Sequence, residues 1–173
     1  MILKVFGGRI LLLKRLIMII KIISIGNKLN SWESESINFY KKQIPKNLTI
    51  DFINLKSLQN PKLSKEEVIR KESELLLSRI NEDDFIVSWD INGDNISSED
   101  LSNFISLCQQ TQKAVSFVIG GSFGLSSEIK ESSDKVFSAS SFTIPHRLFR
   151  LILVEQIYSC LLYTSDAADE CDS

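Results

Sequence analysis

Two stretches decide how this chain folds: Val115-Ser-Phe-Val-Ile-Gly-Gly-Ser-Phe-Gly-Leu-Ser126 and Ser138-Ala-Ser-Ser-Phe-Thr-Ile-Pro-His-Arg-Leu-Phe-Arg150. The first opens on a short apolar run, the length of a buried strand, and passes into a glycine loop. The second is a short strand, then a polar loop, then Pro145 and an amphipathic helix. Proline suits a helix start, because the N–H it lacks has no partner there. In α/β sheets ligands sit beyond the carboxyl ends of the strands. Two glycine- and serine-rich loops at neighbouring strand ends therefore predict one pocket for a nucleotide-like ligand.

Working outward, strands and helices alternate. Met18 to Ile25 is β-branched and apolar, and Gly26 ends it. Ser31 is read as the cap of a helix from Trp32 to about Gln43, which Pro45 stops. Leu48 to Leu55 alternates, with Leu48, Ile50, Phe52 and Asn54 on one face. Lys56 to Leu63 is a polar connection containing Pro61 and reads as a mobile loop. Ser64-Lys-Glu-Glu67 is a capping box, opening a helix that turns Val68, Leu75, Leu76 and Ile80 inward. Asp84 to Trp89 is a strand, and Asp90 to Asn95 reads as a turn. Ser97 or Ser98 caps a helix through Leu101, Phe104, Ile105 and Cys108. Val115 to Ile119 is a strand, a short helix follows from about Ser126, and Lys135 to Ala139 is the last strand. Parallel strands need crossovers and helices supply them, so the pattern predicts a three-layer α/β domain with a mostly parallel sheet.

The chain has 173 residues and a net charge of −2. One domain with one core is expected, and no global basic field advertises free nucleic acid. The three cysteines, Cys108, Cys160 and Cys171, show no Cys-x-x-Cys spacing. Neither a disulfide framework nor a metal site is expected, and a reducing cytoplasm is the simplest compartment. Residues 1–17 are apolar and basic, but Lys14, Arg15 and Lys21 interrupt the run that a membrane span would need. These residues are read as an upstream extension before a start at Met18. The run from Cys160, Cys-Leu-Leu-Tyr-Thr-Ser-Asp-Ala-Ala-Asp-Glu, resembles one reading frame of a transposon-based sequencing adapter. The domain is thus expected over residues 18–159, with 160–173 as a non-native tail.

Each candidate site residue has a functional reading and a structural one. The glycine loop Gly120 to Gly124 lacks the dinucleotide fingerprint and the phosphate-loop lysine; it fits a ligand cradle or a tight turn. Ser140 to Pro145 offers amides and hydroxyls to a base edge and a ribose, with Phe142 and Ile144 flanking, or is merely a loop before a helix. Trp89 is a pocket wall or core packing. His146, the only histidine, is a general base, an RNA contact or a structural residue. Arg147 and Arg150, three apart on one helix, fit a phosphate grip or a solvated face.

Taken together these motifs resemble a known family. Gly-Gly-x-x-Gly-Leu-Ser, Ser-x-Ser-x-Phe-Thr-Ile-Pro-His-x-Leu-x-Arg and Leu-x-Glu-Gln-Ile-Tyr158 are similar to those of the ribosomal large subunit methyltransferase H family, as are Ile20 to Lys28 and Phe85 to Asp90. The resemblance implies a SPOUT-type fold with a C-terminal trefoil knot, an exception to the rule against knotted connections, and a homodimer. It implies S-adenosylmethionine as cofactor and methylation of N3 of a pseudouridine in 23S ribosomal RNA, on the assembled ribosome. It assigns cofactor contacts to Trp89 (where the family usually has leucine), Gly121, Ser140, Ser141, Phe142, Thr143, Ile144 and Pro145. His146 and Arg150 fall on catalytic positions facing the RNA, with Arg147 beside them as a second RNA contact. The family ends in a tail rich in tyrosine, histidine and a basic residue, where this chain has Cys160 to Ser173. Two other readings follow: a SPOUT methyltransferase with another RNA target, or an inactive, truncated dimeric cofactor-binding module.

Overall fold

The computed structural model describes residues 4–6, 9–11, 17–111 and 114–170, with side chains from 17 to 162. A two-stranded ribbon, β1 (Lys4–Phe6) and β2 (Arg9–Leu11), precedes the domain. Most of the expected upstream extension, and residues 171–173 of the expected tail, lie outside the described residues.

The domain is a five-stranded sheet in the order β4-β3-β6-β5-β7, parallel at every pairing. Its strands are β3 (Met18–Gly26), β4 (Leu48–Lys56), β5 (Phe85–Asn95), β6 (Val115–Ile119) and β7 (Lys135–Ser138). The helices are α1 (Ser31–Gln43), α2 (Lys65–Leu77), α3 (Ser98–Thr111), α4 (Ser127–Ser132) and α5 (His146–Glu170). Side chains alternate along each strand, so the strands feed two cores. Met18, Ile20 and Ile22 join Leu48, Ile50, Val115, Phe117, Val87 and Trp89 beneath α1, α3 and α5. Ile23 and Ile25 join Val118, Leu76, Leu125 and Ile129 beneath α2 and α4. The expected three layers are present, and Leu48 to Leu55 divides its faces as its alternation predicts.

Two readings of local structure differ from the sequence expectation. The cap of α1 is Asn30, not Ser31. Its side chain accepts from the Glu33 N–H at 3.2 Å while Glu33 Oε2 accepts from the Asn30 N–H at 3.0 Å. Either residue type caps well; the glutamate three residues on decides between them. Asp90 to Asn95 is not a turn but the second half of β5. A register shift between Trp89 and Asp94 lets it return to β7, and Gly93 packs where any Cβ would meet the Phe137 backbone. The last helix, α5, runs unbroken past Ser159, with Cys160 and Leu161 buried in the larger core. No described helix is long and apolar enough to cross a membrane.

Candidate functional site

The carboxyl ends of the strands carry two clefts, where the sequence predicts one pocket. The first is lined by Trp89, Asp90 and Ile91 of β5, Phe137 and Ser138 of β7, and the following loop, including Ser140, Phe142, Thr143 and Ile144. The second lies over the ends of β3, β4 and β6. Gly26, Asn27, Ser57, Gly121, Ser122, His146, Arg147 and Arg150 line it. The reason for the division is the strand order. β5 lies between β6 and β7, so the glycine loop after β6 and the serine loop after β7 are not at neighbouring strand ends as the sequence predicts. Gly121 therefore belongs to the second cleft, apart from Trp89 and the serine loop.

The first cleft is aromatic. Trp89 sits among Phe117, Phe137 and Phe149, with ring centroids 5.4 to 5.9 Å away. Its indole Nε1–H is buried and has no partner among the described residues. A buried donor left unsatisfied costs on the order of 1–3 kcal/mol, and an acceptor on a ligand in the cleft would relieve that cost. Phe142, at the loop tip, is 81% exposed, an apolar ring with nothing yet against it. The loop is shaped locally: Ser140 Oγ accepts from the Phe142 N–H at 2.9 Å, and Ser138 Oγ donates to the Ser140 carbonyl.

The second cleft is polar. Its glycine loop is a tight turn closed by the Gly124 N–H on the Gly121 carbonyl at 3.0 Å. Gly124 has φ +82°, which glycine adopts without strain. Gly121 is needed for a different reason, close approach. A Cβ there would stand 2.6 Å from Glu72 Oε2 and 3.0 Å from Ile25.

His146 opens α5 directly after Pro145. Its Nε2 lies 2.8 Å from the Gly120 carbonyl oxygen. A carbonyl only accepts, so Nε2 carries the proton and Nδ1 keeps the basic lone pair. Burial pushes its pKa below the ordinary histidine range, and the neighbouring Arg150 charge adds to that. Neutral histidine at pH 7 is the form that takes up a proton.

The two arginines separate. Arg150 is 1% exposed, because α5 packs on α1 and turns this residue inward. Its Nη2 donates to Glu33 Oε1 at 2.7 Å, and Nη1 donates to Asn54 Oδ1 and to the Asn27 carbonyl. Glu33 is equally buried. The capping box of α1 fixes its carboxylate, so a local helix signal sets up a long-range ion pair. Arg150 is therefore a buried structural cation rather than one half of an exposed phosphate grip. Arg147, one turn earlier, is the half that faces outward, with its side chain 44% exposed and 3.4 Å from Glu33 Oε2.

Sequence reasoning missed Glu33, Asn54 and Glu72. Only Glu33 left a trace, as the third residue after Asn30. Among the described residues no group of three histidines, cysteines or acids is arranged to hold a metal.

Residues 18–164 match the family described as "Predicted SPOUT methyltransferase". The Ribosomal RNA large subunit methyltransferase H of Caldicellulosiruptor bescii is 36% identical over 140 residues, covering 80% of this chain and 91% of that protein. The protein of the same name from Clostridium botulinum strain Loch Maree is 36% identical over 144 residues, again covering 80% and 91%. The chain belongs to the SPOUT methyltransferases, within the family of ribosomal RNA large subunit methyltransferase H.

Proposed function

We propose that this protein uses S-adenosylmethionine to methylate N3 of a pseudouridine in 23S ribosomal RNA, acting in the cytoplasm on the assembled ribosome as a homodimer with a knotted C-terminal region. The observation that carries the cofactor assignment is the aromatic cleft, where Trp89 offers an unpartnered indole N–H beside the exposed Phe142 ring. An adenosine supplies the acceptors and the flat face that this wall lacks. Trp89 and the loop Ser140, Ser141, Phe142, Thr143, Ile144 and Pro145 would hold it, and Gly121 would line the approach from the second cleft. Bound there, the cofactor supplies a methyl group on a sulfonium, a good leaving group.

The protein's own part is positioning and proton removal. His146 Nδ1 is the available base, held in the right tautomer by the Gly120 carbonyl. Arg147, at the open edge of the polar cleft, is suited to an RNA phosphate. Arg150 acts at one remove, by holding α5 and with it His146. The homodimer is supported by the surface between α1 and α5. There Phe39 is 60% exposed, and a hollow runs between Glu35, Phe39, Tyr40 and Leu151. An exposed aromatic ring beside a hollow is the kind of surface that a second copy would cover.

The test has two stages. Calorimetric titration of S-adenosylmethionine into the folded protein is expected to show binding; its absence would sink the cofactor assignment. Ribosomes lacking the modification are then incubated with protein and labelled cofactor. A single methyl on a 23S pseudouridine is the expected product. A methyl on another RNA would favour the other-target reading, and binding without turnover the inactive module.

A further inference from the structure

Charge is divided along the carboxyl edge of the sheet. Beyond β5 and β7, Asp94, Glu99 and Asp100 are exposed, and Lys130 is paired with Asp90. Beyond β3 and β4 the sign reverses. Gly26-Asn-Lys-Leu-Asn30 and Lys56-Ser-Leu-Gln-Asn-Pro-Lys-Leu-Ser-Lys65 hold four lysines and no acid. Lys28, Lys56, Lys62 and Lys65 are exposed, and among the described residues none forms an ion pair. Glu66 and Glu67 follow, but Glu67 is turned back onto the Ser64 N–H. The two segments meet: Gly26 pairs with Lys56, and Asn54 Nδ2 donates to the Asn27 carbonyl at 3.1 Å. The longer one has the composition of a mobile loop, yet it is tied down. Buried Glu72 accepts from Ser57 Oγ at 2.8 Å and from the Leu58 N–H at 2.9 Å. Asn60 Oδ1 accepts from the Lys62 N–H at 2.9 Å, and the Asn60 carbonyl accepts from the Leu63 N–H. Backbone fixed in advance loses less entropy when a ligand binds. The segment also borders the polar cleft. Ser57 and Gln59 line that cleft together with Arg147, and Lys65 Nζ stands 5.9 Å from the centre of the Phe123 ring in the glycine loop. The lysines thus form a rim from the end of β3 round to the glycine loop.

We propose that Lys28 and the clamped segment Lys56–Lys65 form a platform for the RNA backbone. It leads the strand that carries the target base into the polar cleft, where Arg147 takes a further phosphate. This rests on the ribosomal RNA reading of the proposed function. An exposed lysine holds a phosphate without reading its base, so the platform supplies orientation and salt-dependent affinity rather than sequence preference. The acids beyond β5 and β7 repel the same backbone and keep it off the aromatic cleft. A net charge of −2 hides this surface, because the two halves nearly cancel.

The experiment measures sedimentation of the protein with ribosomes lacking the modification, over a series of salt concentrations. Wild type is compared with two triple variants. One is Lys56→Gln, Lys62→Gln and Lys65→Gln. The other is Lys46→Gln, Arg79→Gln and Lys135→Gln, which removes the same charge from exposed positions at the amino ends of the strands. All six side chains are exposed, so both variants are expected to fold, and urea unfolding checks it. The platform variant is expected to bind about tenfold or more weakly at about 0.1 M salt, and its plot of log affinity against log salt to be shallower by about two. Its calorimetric affinity for S-adenosylmethionine is expected to stay at the wild-type value. The amino-end variant is expected to match wild type throughout. Equal losses in the two variants, or no loss in the first, would overturn the platform and leave the ribosomal RNA reading standing. Displacement of the ribosome by polyglutamate as readily as by poly-uridylate would overturn RNA as the occupant. Failure of wild type to bind ribosomes at any salt would overturn both readings.

Discussion

Two buried ion pairs hold opposite ends of this sheet, and they differ in how completely they are satisfied. Near the amino ends of the strands, Lys21 Nζ meets Asp84 Oδ2 at 2.7 Å. The same oxygen accepts from Ser116 Oγ at 2.6 Å and from the Asn81 N–H at 3.2 Å. Burial alone would push the Asp84 pKa up, yet the bonds from Lys21, Ser116 and Asn81 outweigh it and the pKa falls below its ordinary value. Near the carboxyl ends, Arg150 meets Glu33 with Nε left unpartnered and a second arginine crowding the same carboxylate. Burial draws the Arg150 pKa down while Glu33 opposes it. The first pair is closed and lies far from the clefts. The second is open and lines one of them. Complete satisfaction belongs to the scaffold; incompleteness marks where a ligand is expected.

The largest effect is expected from Arg150→Met, which strands the buried Glu33 charge. A loss of about 3–5 kcal/mol in urea unfolding follows from breaking such a pair. Adding Glu33→Leu should return much of it, since an apolar replacement of both partners is tolerated far better than removal of one. If the single change costs less than the double, the contrast between the pairs fails.

Asp84→Asn is expected to cost about 2 kcal/mol, less because Lys21 keeps some access to water, and to leave cofactor affinity unchanged. A change in affinity would remove the claim that this pair is only scaffold. The pH dependence has a definite sign. A lowered folded pKa contributes stability that is present above the unfolded value of 3.8 and is lost as pH falls through the folded pKa. Wild type should therefore show an acid-unfolding component below about pH 4 that the Asp84→Asn variant lacks.

Gly121→Ala sharpens the other side of the contrast. The added methyl meets Glu72 Oε2 and Ile25. A stability loss of about 1 kcal/mol, with about a tenfold loss of cofactor affinity, is expected from parallel melts and titrations. The smallest effect calibrates the scale: Arg70 and Glu74 form an exposed pair one turn apart on α2. Arg70→Ala should cost no more than about 0.5 kcal/mol, by the same urea measurement.

The sequence made the layers readable because burial on both faces leaves isoleucine-rich runs such as Ile22 to Ile25, and because helix caps are local. Glu67 answering Ser64 is visible in four residues, and the structure keeps it. The clefts were less legible. Their division depends on β5 lying between β6 and β7, a matter of strand order that local pattern does not encode. Arg150 looked exposed because it is charged; its burial depends on α1 presenting Glu33 from more than a hundred residues away. Glu72 looked like one acid among several on α2, and only packing against Gly121 sets it apart. Asp90 to Asn95 carried the composition of a turn, and pairing with β7 overrode it.

Gly26, where an added Cβ would meet His146 and Arg150, brings the first strand of the sheet close to the last helix. During synthesis the strand leaves the ribosome long before its counterpart exists, and the wall of the polar cleft waits for α5. A nascent chain can lay down most of the sheet in order, yet it holds no finished cleft until α5 has emerged. Contacts so distant in sequence also slow the final folding step. On the proposed function, an enzyme that modifies assembled ribosomes is thus itself withheld from its ligand until its own last helix is made.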